Sequence, residues 1–183
     1  TRATIPTAIP LSWARLNSGQ FLPRDPITAI VIDPNAAGVM YIATQDAGIY
    51  KSIDGGVSWQ PVHNGLGRAS VDTLIMDQRD SKILYAGTHL GGVYKTADGG
   101  LTWRSMNEGI DIKGGEWVTI VTMDKQNSQH LYFTNAADIY ESTDGGLSWH
   151  KAKASPGDCP QDTVSLVLDP SDGNILYAAE FGG

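Results

Sequence analysis

The aromatic residues of this 183-residue chain recur with a period of about 45 residues. One set of four tyrosines is spaced by 44, 47 and 45 positions: Tyr41, Tyr85, Tyr132 and Tyr177. Three further tyrosines follow the first three of these by eight or nine positions: Tyr50, Tyr94 and Tyr140. Four tryptophans keep the same register, with spacings of 46, 44 and 46: Trp13, Trp59, Trp103 and Trp149. A repeat of this length indicates copies of one supersecondary unit that pack against each other.

Each period reads as four short strands. An apolar run that ends in Asp comes first, at 29–33, 73–77, 120–124 and 165–169. A turn leads to the first tyrosine strand, a Gly-rich hairpin to the second, and a tight turn to a strand that opens with Trp. No window shows the sustained 3.6-residue periodicity of helices, which excludes a solenoid of helix pairs. The pattern predicts an all-β fold, a β-propeller of four-stranded antiparallel blades.

The repeat also predicts the boundaries within a single propeller segment, 1–183. Three complete blades are expected at 27–63, 71–107 and 118–153. Residues 12–17 are expected to form the outer strand of a preceding blade, and 163–183 an incomplete last blade. An open propeller leaves apolar blade flanks and unpaired strand edges in water. We therefore expect the chain to be part of a longer ring or of an oligomer that completes one.

The turn before each of three tryptophans has the same eight-residue pattern. The copies read SIDGGVSW at 52–59, TADGGLTW at 96–103 and STDGGLSW at 142–149. The Asp carboxylate can accept backbone N–H groups of the turn, and the two glycines can supply positive φ angles. The Trp side chain can bury a large surface beside the turn. These residues are expected to be structural: Ser52, Asp54, Gly55, Gly56, Trp59, Thr96, Asp98, Gly99, Gly100, Trp103, Ser142, Asp144, Gly145, Gly146 and Trp149.

The pattern [ST]-x-D-G-G-x-[ST]-W closely resembles the Asp-box, or BNR, repeat family. Its members include sialidases, sortilin-like receptor ectodomains, photosystem II assembly factors, xyloglucan-cleaving hydrolases and secreted bacterial proteins. The resemblance implies rings of six to eight blades, with the box turns between the third and fourth strands. It implies a fold rather than one activity, because these relatives differ in function.

The three box carboxylates are not expected to bind a ligand. Three copies cannot all be one active site, and no second carboxylate follows two residues later, as a looped calcium site requires. In the resembled family the box turns lie on the face opposite the ligand sites. We call the side that carries the box turns and the first-to-second-strand turns the box face.

Because alternate loops of an up-and-down blade share a side, the second-to-third-strand hairpins and the blade connections define an opposite side, the hairpin face. Its loops differ from blade to blade, as a binding surface on a repetitive scaffold does. The candidate binding residues there are Arg24, Gln45, Asp46, Arg68, His89, Lys113, Glu116, Trp117, Asn135, Asp138, Glu180 and Phe181.

Three of the less regular residues allow two interpretations. Trp117 is the one Trp outside the repeat register, and it suits either stacking on a sugar or partner side chain or burial at the start of a strand. His89 could titrate or bind a ligand, or be an ordinary loop histidine. Cys159 is the single cysteine, which excludes an internal disulfide, and it reads as an idle loop thiol rather than a nucleophile.

Glycoside hydrolysis is the enzymatic alternative. It requires two carboxylates about 5–10 Å apart, or a Tyr nucleophile in sialidases. A sialidase-like site also needs three converging arginines, and only Arg24 and Arg68 are expected on the hairpin face. In xyloglucanase-like relatives a catalytic Asp sits in a T-D-x-G-G-x-Y hairpin. Residues 44–50, TQDAGIY, resemble that hairpin with Gln45 inserted, which makes Asp46 the alternative catalytic residue.

Charge and missing motifs exclude several functions. The formal charge is −7, from 13 Lys and Arg against 20 Asp and Glu, which argues against nucleic-acid binding. No run approaches the roughly 18 apolar residues of a membrane span. No phosphate-binding loop, dinucleotide fingerprint or zinc-type pattern occurs, so we expect neither a cofactor nor a metal. We predict a noncatalytic scaffold that recognises protein or carbohydrate within a larger extracytoplasmic, bacterial protein.

Overall fold

The computed structural model describes residues 25–67, 69–110, 118–135, 138–152 and 163–180, and these contain β-strands, turns and no helix. The first sheet contains β1 (Ile27–Ile32), β2 (Met40–Thr44), β3 (Ile49–Ser52) and β4 (Gln60–Pro61). The second contains β5 (Val71–Met76), β6 (Leu84–Thr88), β7 (Gly92–Thr96) and β8 (Arg104–Ser105). The third contains β9 (Ile120–Met123), β10 (Leu131–Thr134), β11 (Ile139–Ser142) and β12 (His150–Lys151). The fourth pairs β13 (Thr163–Leu168) with β14 (Leu176–Glu180).

The strands of each sheet follow one another in chain order and are antiparallel. The first strands of successive sheets lie against each other, β1 on β5, β5 on β9 and β9 on β13. The sheets therefore stack side by side with their first strands at the centre and their fourth strands outside. This is the arrangement of propeller blades. The predicted all-β propeller of four-stranded blades is confirmed.

The second strand of a blade is buried where a blade packs on each of its sides, as happens around the second blade. All five residues of β6 are buried. A β-carbon at Gly87 in this strand would lie 2.6 Å from the Thr73 side chain and 2.7 Å from that of Val118. Glycine is required there because the inner strands of two blades approach closely. Apolar clusters fill each junction; Tyr41, Leu74 and Trp103 belong to the one between the first two blades.

The repeated tyrosines tie one blade to the next. The Tyr41 hydroxyl donates to the Gly99 carbonyl at 3.1 Å, and the Tyr85 hydroxyl donates to the Gly145 carbonyl at 2.9 Å. Both acceptors belong to the box turn of the following blade. The Lys95 ammonium also donates to the Gly145 carbonyl, at 2.8 Å, and lies 5.0 Å from the centre of the Tyr85 ring. The second and third box turns are therefore part of a blade junction as well as of their own blades.

The third blade departs from this pattern. Glu141 occupies the place that Lys51 and Lys95 have in the first two blades. Its carboxylate accepts the Tyr132 hydroxyl at 3.1 Å and meets the Nε2 atoms of His130 at 2.7 Å and His150 at 3.2 Å. Burial works to raise the pKa of Glu141, but these hydrogen bonds and nearby imidazoles outweigh it and hold the pKa below its usual value.

The prediction that the fourth strand opens with Trp is wrong by one residue. The strands begin at Gln60, Arg104 and His150, one position after each Trp. The reason is that the Trp backbone is paired outside its own sheet. The Trp103 N–H donates to the Asn64 carbonyl at 2.8 Å, in the connection from the preceding blade. The Trp149 N–H donates in the same way to the Glu108 carbonyl at 2.9 Å.

Candidate functional site

Each box carboxylate accepts hydrogen bonds from its own turn with both oxygens. In the first box, Asp54 Oδ1 accepts the Ser58 N–H at 2.9 Å and the Ser52 hydroxyl at 2.8 Å, and Oδ2 accepts the Ser58 hydroxyl at 2.6 Å. The boxes of Asp98 and Asp144 repeat these distances within about 0.1 Å. The bonds from Ser58 and Ser52 lower the pKa of Asp54 to about 2. The bonds from Thr102 and Thr96 do the same for Asp98.

The box turns also bind the first-to-second-strand turns, so the two kinds of turn lie at one end of the blade. Gly55 N–H donates to the Gly38 carbonyl at 2.9 Å, and the two later boxes make the same bond to the carbonyls of Lys82 and Gln129.

Side chains of the first-to-second-strand turns bond the next blade. They come from the residues two positions after the strand-ending Asp: Asn35 donates to the Gln78 carbonyl at 3.2 Å, Arg79 to the Gln126 carbonyl, and Gln126 to the Pro170 carbonyl at 3.2 Å. The Arg79 guanidinium thus has a bond within the scaffold.

On the hairpin face of the first blade, an aspartate holds the hairpin. Asp25 Oδ2 accepts the backbone N–H groups of Asp46 at 2.6 Å and Ala47 at 2.9 Å. Gln45 N–H donates to the Pro26 carbonyl at 3.0 Å. The candidate residues Gln45 and Asp46 are exposed at the tip. The backbone of this hairpin is fixed while its side chains face solvent.

The second blade places an imidazole beside a carboxylate that the sequence did not single out. Asp72 occupies a β-bulge of the innermost strand, between the paired residues Val71 and Thr73. Its Oδ2 lies 3.7 Å from His89 Nδ1, with 25% of the Asp72 side chain and 38% of the His89 side chain exposed. Burial raises the pKa of Asp72, with the nearby His89 acting in the opposite direction. The available sequence signal was an ionisable residue in the strand VDTLIM, whose other residues are apolar apart from Thr73.

His89 belongs to the hairpin between β6 and β7, residues 88–92, and the Asn107 side chain holds this hairpin in place. The Asn107 amide donates to the Gly91 carbonyl at 2.9 Å and accepts the Val93 N–H at 2.9 Å. A β-carbon at Gly92, where φ is +78°, would lie 2.3 Å from Asn107 Oδ1. Leu90 at the tip has a φ of +66° and is 60% exposed. Residues 88–94, THLGGVY, also have the spacing of the T-D-x-G-G-x-Y hairpin, with His89 where that pattern has Asp.

In the third blade the candidate residues pair with one another. Asn135 is buried, and its Oδ1 accepts the Asp138 N–H at 2.6 Å. The Asp138 carboxylate forms an ion pair with the Lys151 ammonium at 2.6 Å. Asn135 therefore holds the backbone of Asp138, and the Asp138 carboxylate is paired with Lys151.

Several predicted positions lie outside the described residues. They are the outer strand 12–17, Cys159 and the candidate binding residues Arg24, Arg68, Lys113, Glu116, Trp117 and Phe181. Glu180 ends β14, and its side chain is not among those described. Of the predicted binding residues, the structure describes the side chains of Gln45, Asp46, His89, Asn135 and Asp138. It adds two partners that were not predicted, Asp72 beside His89 and Lys151 beside Asp138.

The described part of the chain has no group of three or more His, Cys, Asp or Glu side chains arranged to hold a metal ion. Within the same residues there is no helix of the length and apolar character that crossing a membrane requires. A groove of about 360 Å³ lies between the second and third blades, beside the box turn of Asp98, and is lined by Lys95, Arg104 and Leu147 among others.

The comparisons with known proteins agree with this geometry. The BNR/Asp-box repeat model matches residues 140–151, within the third repeat. A GH74 enzyme of Niastella koreensis is 27% identical over 84% of this chain, with a TM-score of 0.66, and the chain covers 26% of that enzyme. YCF48 bound to D1 peptide is 18% identical over 87% of this chain, with a TM-score of 0.60, and the chain covers 53% of it.

A third solved structure is the extracellular domain of the hybrid two component system BT3049 of B. thetaiotaomicron. It is 18% identical over 88% of this chain, with a TM-score of 0.66, and the chain covers 20% of it. The chain thus spans about a quarter of the GH74 enzyme and about half of YCF48. No curated protein sequence matches the chain. The box turns, the blade order and the likeness to these propellers agree: the chain folds as a segment of a β-propeller that carries Asp-box (BNR) repeats.

Proposed function

We propose that the chain is a noncatalytic scaffold that recognises a protein or carbohydrate ligand on its hairpin face. The observation that carries this proposal is the contrast between the two faces. On the box face, all three box carboxylates accept hydrogen bonds of their own turns. On the hairpin face, the loops present different side chains in each blade on backbones that hydrogen bonds hold in place. Varied side chains on a rigid repeat are suited to specific recognition.

We further propose that the chain works in a larger extracytoplasmic, bacterial protein. The likeness to the extracellular domain of BT3049 supports this location. Ile30 and Ile32 on β1 and Val167 and Tyr177 on the last sheet are large apolar side chains that are more than half exposed. Further blades of the same protein or a partner copy would cover these flanks and complete a ring.

The test compares matched variants of the two faces. The probes are an array of plant and bacterial glycans and a library of displayed peptides, each applied to the whole chain. Joint replacement of Gln45 and Asp46 by Ala should weaken binding of a selected probe at least tenfold. Lys82→Ala and Asp172→Ala, both exposed on the box face, should leave it unchanged. Equal losses from both faces, or a loss confined to the box face, would refute the proposal.

A glycoside hydrolase is the second candidate. It is favoured by the likeness to the Niastella koreensis GH74 enzyme and by the exposed position of Asp46 on the hairpin face. If the chain hydrolyses xyloglucan and Asp46→Asn abolishes this hydrolysis, the chain is a glycoside hydrolase and not a noncatalytic scaffold. Absence of turnover is the expected result.

A further inference from the structure

The hairpin between β6 and β7 carries a strained residue at its tip. Leu90, with a φ of +66°, is the one non-glycine residue with positive φ in the described part of the chain. A bulky L-residue rarely adopts this conformation, and such strain is maintained when a site has a use for it. Its side chain points an apolar surface into solvent, with 60% of the residue exposed.

The surrounding contacts hold this tip rigidly. The Thr88 hydroxyl donates to the Gly92 carbonyl at 2.8 Å, and the Asn107 amide bonds Gly91 and Val93. His89 N–H donates to the Ser70 carbonyl at 2.9 Å, which ties the tip to the chain just before the innermost strand. A preorganised apolar tip loses little conformational entropy when it is bound, which favours its use as an anchor.

A half-buried carboxylate lies beside the tip. Asp72 is within 3.7 Å of His89, and burial raises its pKa. Asp25, Asp46 and Asp138 add carboxylates at the neighbouring hairpins, and Lys151 is paired with Asp138. The net charge of −7 favours association of the chain as a whole with a cationic partner.

We propose that the His89–Leu90 tip and Asp72 bind a polypeptide segment that places an apolar side chain on Leu90 and a Lys or Arg side chain against Asp72. This inference rests on the proposed function of the hairpin face and selects protein rather than carbohydrate as its ligand. The Leu90 side chain has no polar atom to offer to sugar hydroxyls, whereas apolar anchors beside charged groups are the usual composition of protein interfaces.

The experiment pans a phage-displayed library of random dodecapeptides against the whole chain. Peptides that join a basic residue to an apolar one should be enriched. By fluorescence anisotropy, a selected peptide should bind Asp72→Asn and Leu90→Gly at least tenfold more weakly. Leu101→Ala, which removes a 68% exposed leucine from the box face, is the matched control and should bind as the unchanged chain does.

The melting temperature of the Leu90→Gly variant shows whether weaker binding comes from unfolding or from the lost Leu90 contact. Glycine adopts a φ of +66° without strain, so its melting temperature should equal or exceed that of the unchanged chain. A melting temperature lowered by several degrees would contradict the strain argument and overturn the inference.

The remaining outcomes separate this inference from the proposed function. Peptides that bind both variants normally but lose affinity when Gln45 and Asp46 are replaced would overturn the inference and leave the hairpin face as the binding surface. If the library yields no peptide that joins a basic to an apolar residue and the chain binds glycans instead, the inference is again overturned while the hairpin face remains the binding surface. Loss of binding only in box-face variants such as Lys82→Ala would overturn both.

Discussion

Replacing Gly109 by Ala should destabilise the chain much more than the same change at Gly67. Both glycines have positive φ, +82° and +68°, so both variants share a backbone cost of about 1–2 kcal/mol. A β-carbon at Gly67 would meet nothing within 4 Å, whereas one at Gly109 would lie 2.1 Å from the Trp149 carbonyl oxygen. To relieve that contact, the connection must separate from the next blade.

The additional cost at Gly109 follows from what this separation breaks. It loses the 2.9 Å bond from the Trp149 N–H to the Glu108 carbonyl, worth about 0.5–1.5 kcal/mol. It also disturbs a packed junction, which costs about 1–3 kcal/mol. The variant should therefore lose about 2–4 kcal/mol more than Gly67→Ala.

Urea unfolding followed by circular dichroism and Trp fluorescence measures this difference. Gly65→Ala serves as a second test, because its β-carbon would lie 2.2 Å from the Trp103 carbonyl oxygen, and it should behave like Gly109→Ala. Free energies of unfolding that agree within about 0.5 kcal/mol for Gly67→Ala and Gly109→Ala would refute the close-approach argument.

Two further predictions concern the box and the tyrosines. The pKa values of Asp54 and Asp98 are lowered to about 2 by hydrogen bonds of their turns, so their stabilising contribution is complete above the unfolded pKa and is lost as pH falls from about 4 towards 2. Asp98→Asn should lower the melting temperature at pH 7 and reduce its fall between pH 4 and 2; an unchanged acid profile would contradict this. Tyr85→Phe removes the bond to the Gly145 carbonyl and should cost about 0.5–1.5 kcal/mol in urea unfolding, whereas the exposed Tyr177→Phe should cost little; equal costs would count against the junction role of this tyrosine.

The box turns and the blade order could be predicted from sequence because their determinants are local. In each box, the side chain of one Asp meets a hydroxyl two positions before it and an N–H and a hydroxyl four positions after it. Such contacts depend on a few consecutive residues and hold wherever the pattern occurs. The period of about 45 residues, marked by Tyr and Trp, has room for four short strands and so predicts how many strands each unit contains.

The contacts between blades were decided by the tertiary structure. The Tyr85 hydroxyl meets the carbonyl of a residue 60 positions away, and Gly109 is a glycine because the backbone of Trp149 passes beside it. Neither partner can be read from local pattern, since each depends on how one blade is placed on the next. The outer strands start after the Trp residues for the same reason.

The candidate site divides in the same way. The repeat identified His89 as part of a variable hairpin on the side away from the boxes. Its partner Asp72 lies 17 positions earlier in a strand that reads as core, and a β-bulge turns it towards that hairpin. The positive φ of Leu90 is likewise a property of the folded hairpin, in which the next residue, Gly91, is bonded by Asn107 from the connection after β8. Sequence therefore determined the unit and its turns, whereas packing between distant strands decided which side chains meet at the hairpin face.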